Sequence, residues 1–114
     1  MSDCIFCQIA AGEIPAKIVH QDDDLVAFHD LNPQAPTHIL IIPRQHIPTL
    51  LDTGEDQAPL LGLLQRAAVE IARQQGLADR GFRLVTNCLE EAGQSVFHVH
   101  LHLLGGRRFG WPPG

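Results

Sequence analysis

The chain has 114 residues, 45% of them hydrophobic and 18% charged, which is the composition of one ordinary globular domain able to bury about two-thirds of its unfolded surface. Its formal net charge of −5, with only eight Lys and Arg, excludes a general phosphate-backbone binder, so no nucleic-acid polymer is expected as a partner. The segment from Met1 to Cys7 has no basic region followed by an apolar core, and no apolar run reaches the roughly 18–20 residues of a membrane span; the chain is read as cytoplasmic, with no membrane association.

Residues 4–11 carry Ile5, Phe6 and Ile9 before Gly12 and Pro15, which predicts a short amphipathic helix of two turns or so. Lys17–Gln21 and Leu25–His29 read as two short strands around an acidic turn. The stretch Asp30–Pro36 contains Pro33 and Pro36, which remove backbone donors and disfavour helix before them, so an irregular loop is expected. His38–Pro43 follows as a third, mostly buried strand. From Asp56 to Gln75, Leu60, Leu64, Ala67, Ala68 and Ile71 recur at three- and four-residue steps, with Pro59 in the first turn and Gly76 placed to terminate one long helix. Phe82–Asn87 and Ser95–Leu104 supply two more strands, and a tail runs from Gly105 to Gly114. Five strands with one long and one short helix predict a single α+β domain over residues 1–114 with a mainly antiparallel sheet. The strand order stays open.

The last strand alternates strictly as Phe97-His98-Val99-His100-Leu101-His102-Leu103. Side chains of a strand alternate faces, so Phe97, Val99, Leu101 and Leu103 are expected in the core and the three histidines together on the other face. Residues two apart lie about 6.6 Å apart, close enough for one phosphate to touch two imidazoles while the third supports them. An imidazole with an ordinary pKa of about 6.5 is largely neutral at pH 7 and serves as nucleophile or proton carrier. A solvated edge-strand face would also read this way, although three alternating histidines are unusual there. A His-x-His strand can also hold a catalytic zinc. Such a site would want a third ligand and an adjacent carboxylate, yet Gly105 and Gly106 follow the histidines and Glu90 and Glu91 lie in the preceding loop; the spacing favours covalent catalysis.

His98-Val-His-Leu-His-Leu-Leu104 resembles the His-φ-His-φ-His-φ-φ signature of the histidine-triad (HIT) nucleotide-binding family. The segments Ile14–Lys17, Phe28–Asp30, Pro33–Ile39, Gly93–Val96 and the closing Trp111-Pro-Pro-Gly114 resemble its purine nucleoside phosphoramidase branch. That resemblance implies a homodimer whose two five-stranded sheets join into one of ten strands, with the tail 105–114 near the partner's active site. It implies a hydrolase acting on a purine nucleotide of AMP or GMP type: His100 displaces the leaving group from the α-phosphorus, and water then releases the nucleotide from the histidine. No cofactor is implied for catalysis. By the same analogy His98 and His102 complete the triad, His102 contacts the phosphate and assists proton transfer, and His38 and Ser95 lie near the leaving group. An amine leaves only if a donor protonates it as the P–N bond breaks, and Ser95, His38 and His102 are the candidates. Asp30 would accept both ribose hydroxyls, a pairing that suits a two-oxygen carboxylate; alone it could equally be a turn cap. Ile5, Phe6, Ile9, Phe28 and Leu31 match the purine slot, though plain core is the commoner fate of such residues. Asn87, Gly93, Gln94 and Ser95 match the phosphate contacts.

Cys4 and Cys7 depart from the usual phosphoramidase pattern. Three residues apart, they can meet one ion on a helix or tight turn, and two histidines, His46 and His98, would complete a tetrahedral Cys₂His₂ set. Some family members that begin this way resemble zinc binders, which implies a structural Zn²⁺ and makes His98 structural rather than chemical. The alternative is two small residues packed on a short helix; Cys88 is read as packing. In competition with the enzyme stand a nucleotide-binding scaffold with weak catalysis and a metal-dependent hydrolase.

Overall fold

Two apolar stripes with different periods build the molecule, one along the strands and one along the long helix. In the computed structural model, which describes residues 3–114, the elements are α1 (Ile5–Ala10), β1 (Ile18–Gln21), β2 (Leu25–His29), β3 (Thr37–Pro43), α2 (Ala58–Gln74), β4 (Arg83–Val85) and β5 (Leu101–Gly105). Met1 and Ser2, the start of the segment read as leaderless, lie outside the described residues. The sheet has the order β1-β2-β3-β5-β4 with every neighbouring pair antiparallel, as the α+β reading expects.

Local chemistry sets the boundaries. Gly12, at φ 76°, turns the chain out of α1 in a conformation that side-chain-bearing residues resist. The β1–β2 turn is pinned by Asp22, whose Oδ1 accepts from the backbone N–H groups of Asp24 and Leu25, both at 2.8 Å. Pro59 sits in the first turn of α2, where its missing donor costs nothing. A separate 3-10 turn, Glu55–Gln57, precedes that helix, so it starts at Ala58 rather than Asp56.

Strand alternation divides the apolar residues between two cores. Leu25, Ala27, Ile39, Ile41, Val99, Leu101 and Leu103 pack against Leu64, Ala68, Ile71 and Ala72 of α2. On the opposite face Val26, Phe28, Leu40 and Ile42 pack against Phe6 of α1. Because β2 and β3 are covered on both faces, they read as continuous apolar runs.

Three expectations need correction. β4 spans three residues rather than Phe82–Asn87, and β5 begins at Leu101 rather than Ser95. The segment before β5 spends its groups on the loop after β3: Val99 N–H donates to the Ile47 carbonyl at 2.7 Å, and the Gln94 amide donates to the Pro48 and Val96 carbonyls. Phe97, expected in the core, is 51% exposed, because the regular alternation holds only from His98 onward. Among the described residues no helix is long and apolar enough to cross a membrane.

Candidate active site

Beside the core on the α1 face lies a cavity of 270 Å³. Ile5, Phe6 and Ile9 of α1, Ile14, Pro15 and Ala16 of the turn after it, and Phe28 and Leu40 of the sheet give it apolar walls; Asp30, Ser95, His100 and His102 give it polar ones. An apolar slot with a few convergent polar groups is the usual form of a small-molecule site. The parity of the strands explains the arrangement: Leu40 pairs with His102 across β3 and β5, and His38 lies two residues along β3 on the same face.

Hydrogen-bond partners fix the tautomers. His100 is buried, with Nδ1 2.7 Å from the His98 carbonyl oxygen; a carbonyl only accepts, so Nδ1 carries the proton and Nε2 keeps its lone pair. His38 Nδ1 accepts from the Gln34 backbone N–H at 3.0 Å, which leaves the hydrogen on Nε2. That Nε2–H donates to His102 Nδ1 at 2.9 Å and lies 3.4 Å from Asp30 Oδ2. His102 therefore bears its own hydrogen on Nε2. A lone pair on His100 and an N–H on His102 thus stand side by side, their ring centroids 5.0 Å apart.

Burial, aided by the neighbouring His100 and His38 and opposed by Asp30, holds His102 down to about 4, so this ring is neutral at pH 7. Burial likewise lowers His38, with the Asp30 carboxylate opposing. The donor atoms of Asp30, His38 and His102 lie within 4.8 Å of one another. The hydrogen on His38 Nε2 occupies the direction a metal would need, however, so this trio is a hydrogen-bond relay.

A second cluster lies where α1 meets the loop after β3. Cys4 Sγ and Cys7 Sγ are 3.4 and 3.5 Å from His98 Nδ1, Cys7 Sγ is 3.3 Å from His46 Nδ1, and the two Nδ1 atoms are 3.3 Å apart. A tetrahedral zinc, with Zn–S of about 2.3 Å and Zn–N of about 2.0 Å, sets S···N at about 3.5 Å and N···N at about 3.3 Å. The four residues fit such an ion. His98 Nε2 donates to the Pro43 carbonyl at 2.8 Å, which turns the lone pair of Nδ1 toward the thiols, the second contact a ligating histidine commonly makes. Desolvation holds His98 below the usual histidine range, with the Pro43 bond opposing.

The placement of the expected site residues is uneven. Ile5, Phe6, Ile9, Phe28, Asp30, Leu31, Ser95, His100 and His102 line the cavity, although Leu31 is 94% exposed. His38 stands behind His102. Asp30 Oδ1 accepts from Asn32 N–H at 2.8 Å as a turn cap, and the residue also lines the cavity. His98, expected either to support the phosphate from beside or to serve the metal set, is fully buried and directed at the cysteines. Asn87, Gly93 and Gln94 are not among the cavity-lining residues; Gln94 is buried and braces its own loop through the bonds to Pro48 and Val96. Leu40 and Val96 do line it and were missed, although counting two residues on from His38 along β3 would have found Leu40.

Three comparisons bear on this geometry. The HIT domain family profile matches residues 11–109. The purine nucleoside phosphoramidase of Escherichia coli K12 is 49% identical over 108 residues, covering 95% of this chain and 91% of that protein. An uncharacterised HIT-like protein of Synechocystis sp. is 52% identical over 112 residues, or 98% of this chain and 97% of that one. Among solved structures, a HIT family hydrolase from Legionella pneumophila superposes with a TM-score of 0.97 at 51% identity, over 98% of this chain and 100% of that chain. A histidine triad protein from Clostridium difficile gives 0.93 at 41% identity, over 96% of each.

Proposed function

The chain belongs to the HIT family, and from that premise we propose that it is a hydrolase that cleaves the P–N bond, or a related P–O or P–S bond, at the α-phosphorus of purine nucleoside phosphoramidates through a nucleotidyl-His100 intermediate. The observation that carries this reading is the tautomer of His100: its Nδ1 proton is spent on the His98 carbonyl, so Nε2 has an unshared pair in a ring that lines the cavity.

The substrate's base occupies the apolar slot of Ile5, Phe6, Ile9 and Phe28, and its ribose hydroxyls bond to the Asp30 carboxylate, whose second oxygen already holds the turn. The phosphorus then faces His100 and His102. Nε2 of His100 attacks, the P–N bond breaks, and the amine takes a proton from a donor at the polar side of the cavity, where Ser95 and the His38–His102 relay lie. The imidazolium formed on His100 keeps its Nδ1–H bond to His98, which shortens and strengthens as charge develops. His102 is neutral when the cavity is empty; the phosphate's negative charge favours its protonated form and so draws a proton to the leaving-group side. In the second half-reaction water attacks phosphorus, returns its proton to the donor and frees His100.

Cys4, Cys7, His46 and His98 would hold a structural Zn²⁺, which supplies a clamp between α1 and the loop after β3 and no chemistry at phosphorus. The same reading makes the protein a single-domain homodimer. The outer edge of β4 pairs with no strand among the described residues, and the tail meets its first residue, with Arg83 donating to the Gly110 carbonyl at 2.9 Å and Trp111 83% exposed.

His100→Asn tests the central assignment. It should lower turnover of adenosine 5′-phosphoramidate by at least about 10⁴-fold while adenosine monophosphate still binds within a few-fold of wild type. Turnover near wild type would move the reading to a nucleotide-binding scaffold.

A further inference from the structure

His98 belongs to both centres. Its side chain contributes Nδ1 to the thiol and imidazole cluster, and its backbone carbonyl is the group that fixes the proton on His100 Nδ1 at 2.7 Å. The peptide around it is tied to the end of β3 and the loop after it: His98 Nε2 donates to Pro43 O at 2.8 Å, and the next N–H, of Val99, donates to Ile47 O at 2.7 Å. α1 joins the two centres a second time, because Phe6, between the two cysteines, meets the rings of His98 and His100 edge-on at centroid separations of 6.0 and 5.1 Å.

We propose that His98 is a positioning residue through which ion capture by Cys4, Cys7, His46 and His98 fixes the nucleophile His100. The ligand atoms of His46 and His98 are 3.3 Å apart beside two sulfurs, the separation an ion would hold, and the Pro43 bond keeps the His98 lone pair facing them. An ion would tie His98 through its side chain to α1 and to the loop after β3; removing the ion releases that tie, and the backbone of residue 98, whose carbonyl faces His100, gains freedom to move. His100 then loses the acceptor that selects its Nδ1–H form, and the Nε2–H form, which has no pair to offer phosphorus, competes. Losing one hydrogen bond of this kind changes such a population by about threefold to tenfold. The inference rests on the readings of His100 as nucleophile and of the quartet as a zinc site.

The test begins with zinc content by native mass spectrometry, where one ion per chain is expected. Long-range ¹H–¹⁵N spectra of the histidine rings then compare zinc-loaded with chelator-stripped protein, with amide dispersion reporting that the stripped protein is folded. The loaded protein should show His100 in the Nδ1–H form alone. Stripping should mix in the Nε2–H form and lower kcat for adenosine 5′-phosphoramidate by about threefold to tenfold with a smaller change in KM. Added zinc should restore both. Cys4→Ser, which touches the cluster and not the cavity, should shift the same two readouts, and it keeps the comparison available if stripping unfolds the wild type. Zinc at one per chain with the His100 spectrum and kcat unchanged on its removal would overturn the coupling alone. A chain that takes up no zinc overturns it at the metal reading, and an active His100→Asn overturns it at the nucleophile.

Discussion

At the scale of single residues, the polar end of the site depends on rings that folding keeps neutral. His102 is held at about 4, mainly by burial, against an ordinary value of 6.5. Between those two values the unfolded chain binds a proton that the folded chain refuses, so stability rises with pH across this window. The melting temperature should therefore be flat above about pH 7 and fall as pH drops from about 6.5 toward 4. His102→Asn should flatten that fall; a slope unchanged in the variant would show that the ring is not the group responsible. Residue types were legible here because alternation along a strand fixes which histidines share a face. What the spacing of the triad alone does not encode is that His98, on the same face as His100, points into a different set of partners; the Cys4 and Cys7 pair was the signal for it. That direction depends on where α1 and the loop after β3 come to rest, and neither position is encoded in the spacing of the triad.

At the scale of elements, the two helices and the strands β2 and β3 lie where periodicity and turn residues placed them, because long apolar patterns report their own burial. β5 was overread. Its first half carries the same alternation as the second but bonds to the segment 43–48 instead of a neighbouring strand, and Phe97 is left half exposed at that irregular end. The far end of β5 has its own constraint. A Cβ built on Gly105 would come within 2.5 Å of Leu77 Cδ1 and 3.2 Å of its Cγ, and Leu77 is itself buried in the α2-side core. Gly105→Ala should lower stability by about 1–3 kcal/mol through this overpacking, measured by denaturant unfolding, with nucleotide binding by the folded fraction retained. A neutral result would mean that Leu77 is free to move aside.

At the scale of the whole molecule, the element count indicated the α+β fold, but strand order was out of reach. The pairing of β3 with β5 joins residues about sixty apart in sequence, and nothing local records it. The homodimer proposal belongs at this scale too: sedimentation equilibrium should give twice the 12.5 kDa chain mass, and a monomer at micromolar concentration would contradict it. The chemistry itself has a more direct test. Wild-type protein, quenched during turnover of adenosine 5′-phosphoramidate and digested for mass spectrometry, should carry an adenylyl group on His100 and on no other histidine. An adduct on His98 or His102, or none at a time when single-turnover product is forming, would contradict the account.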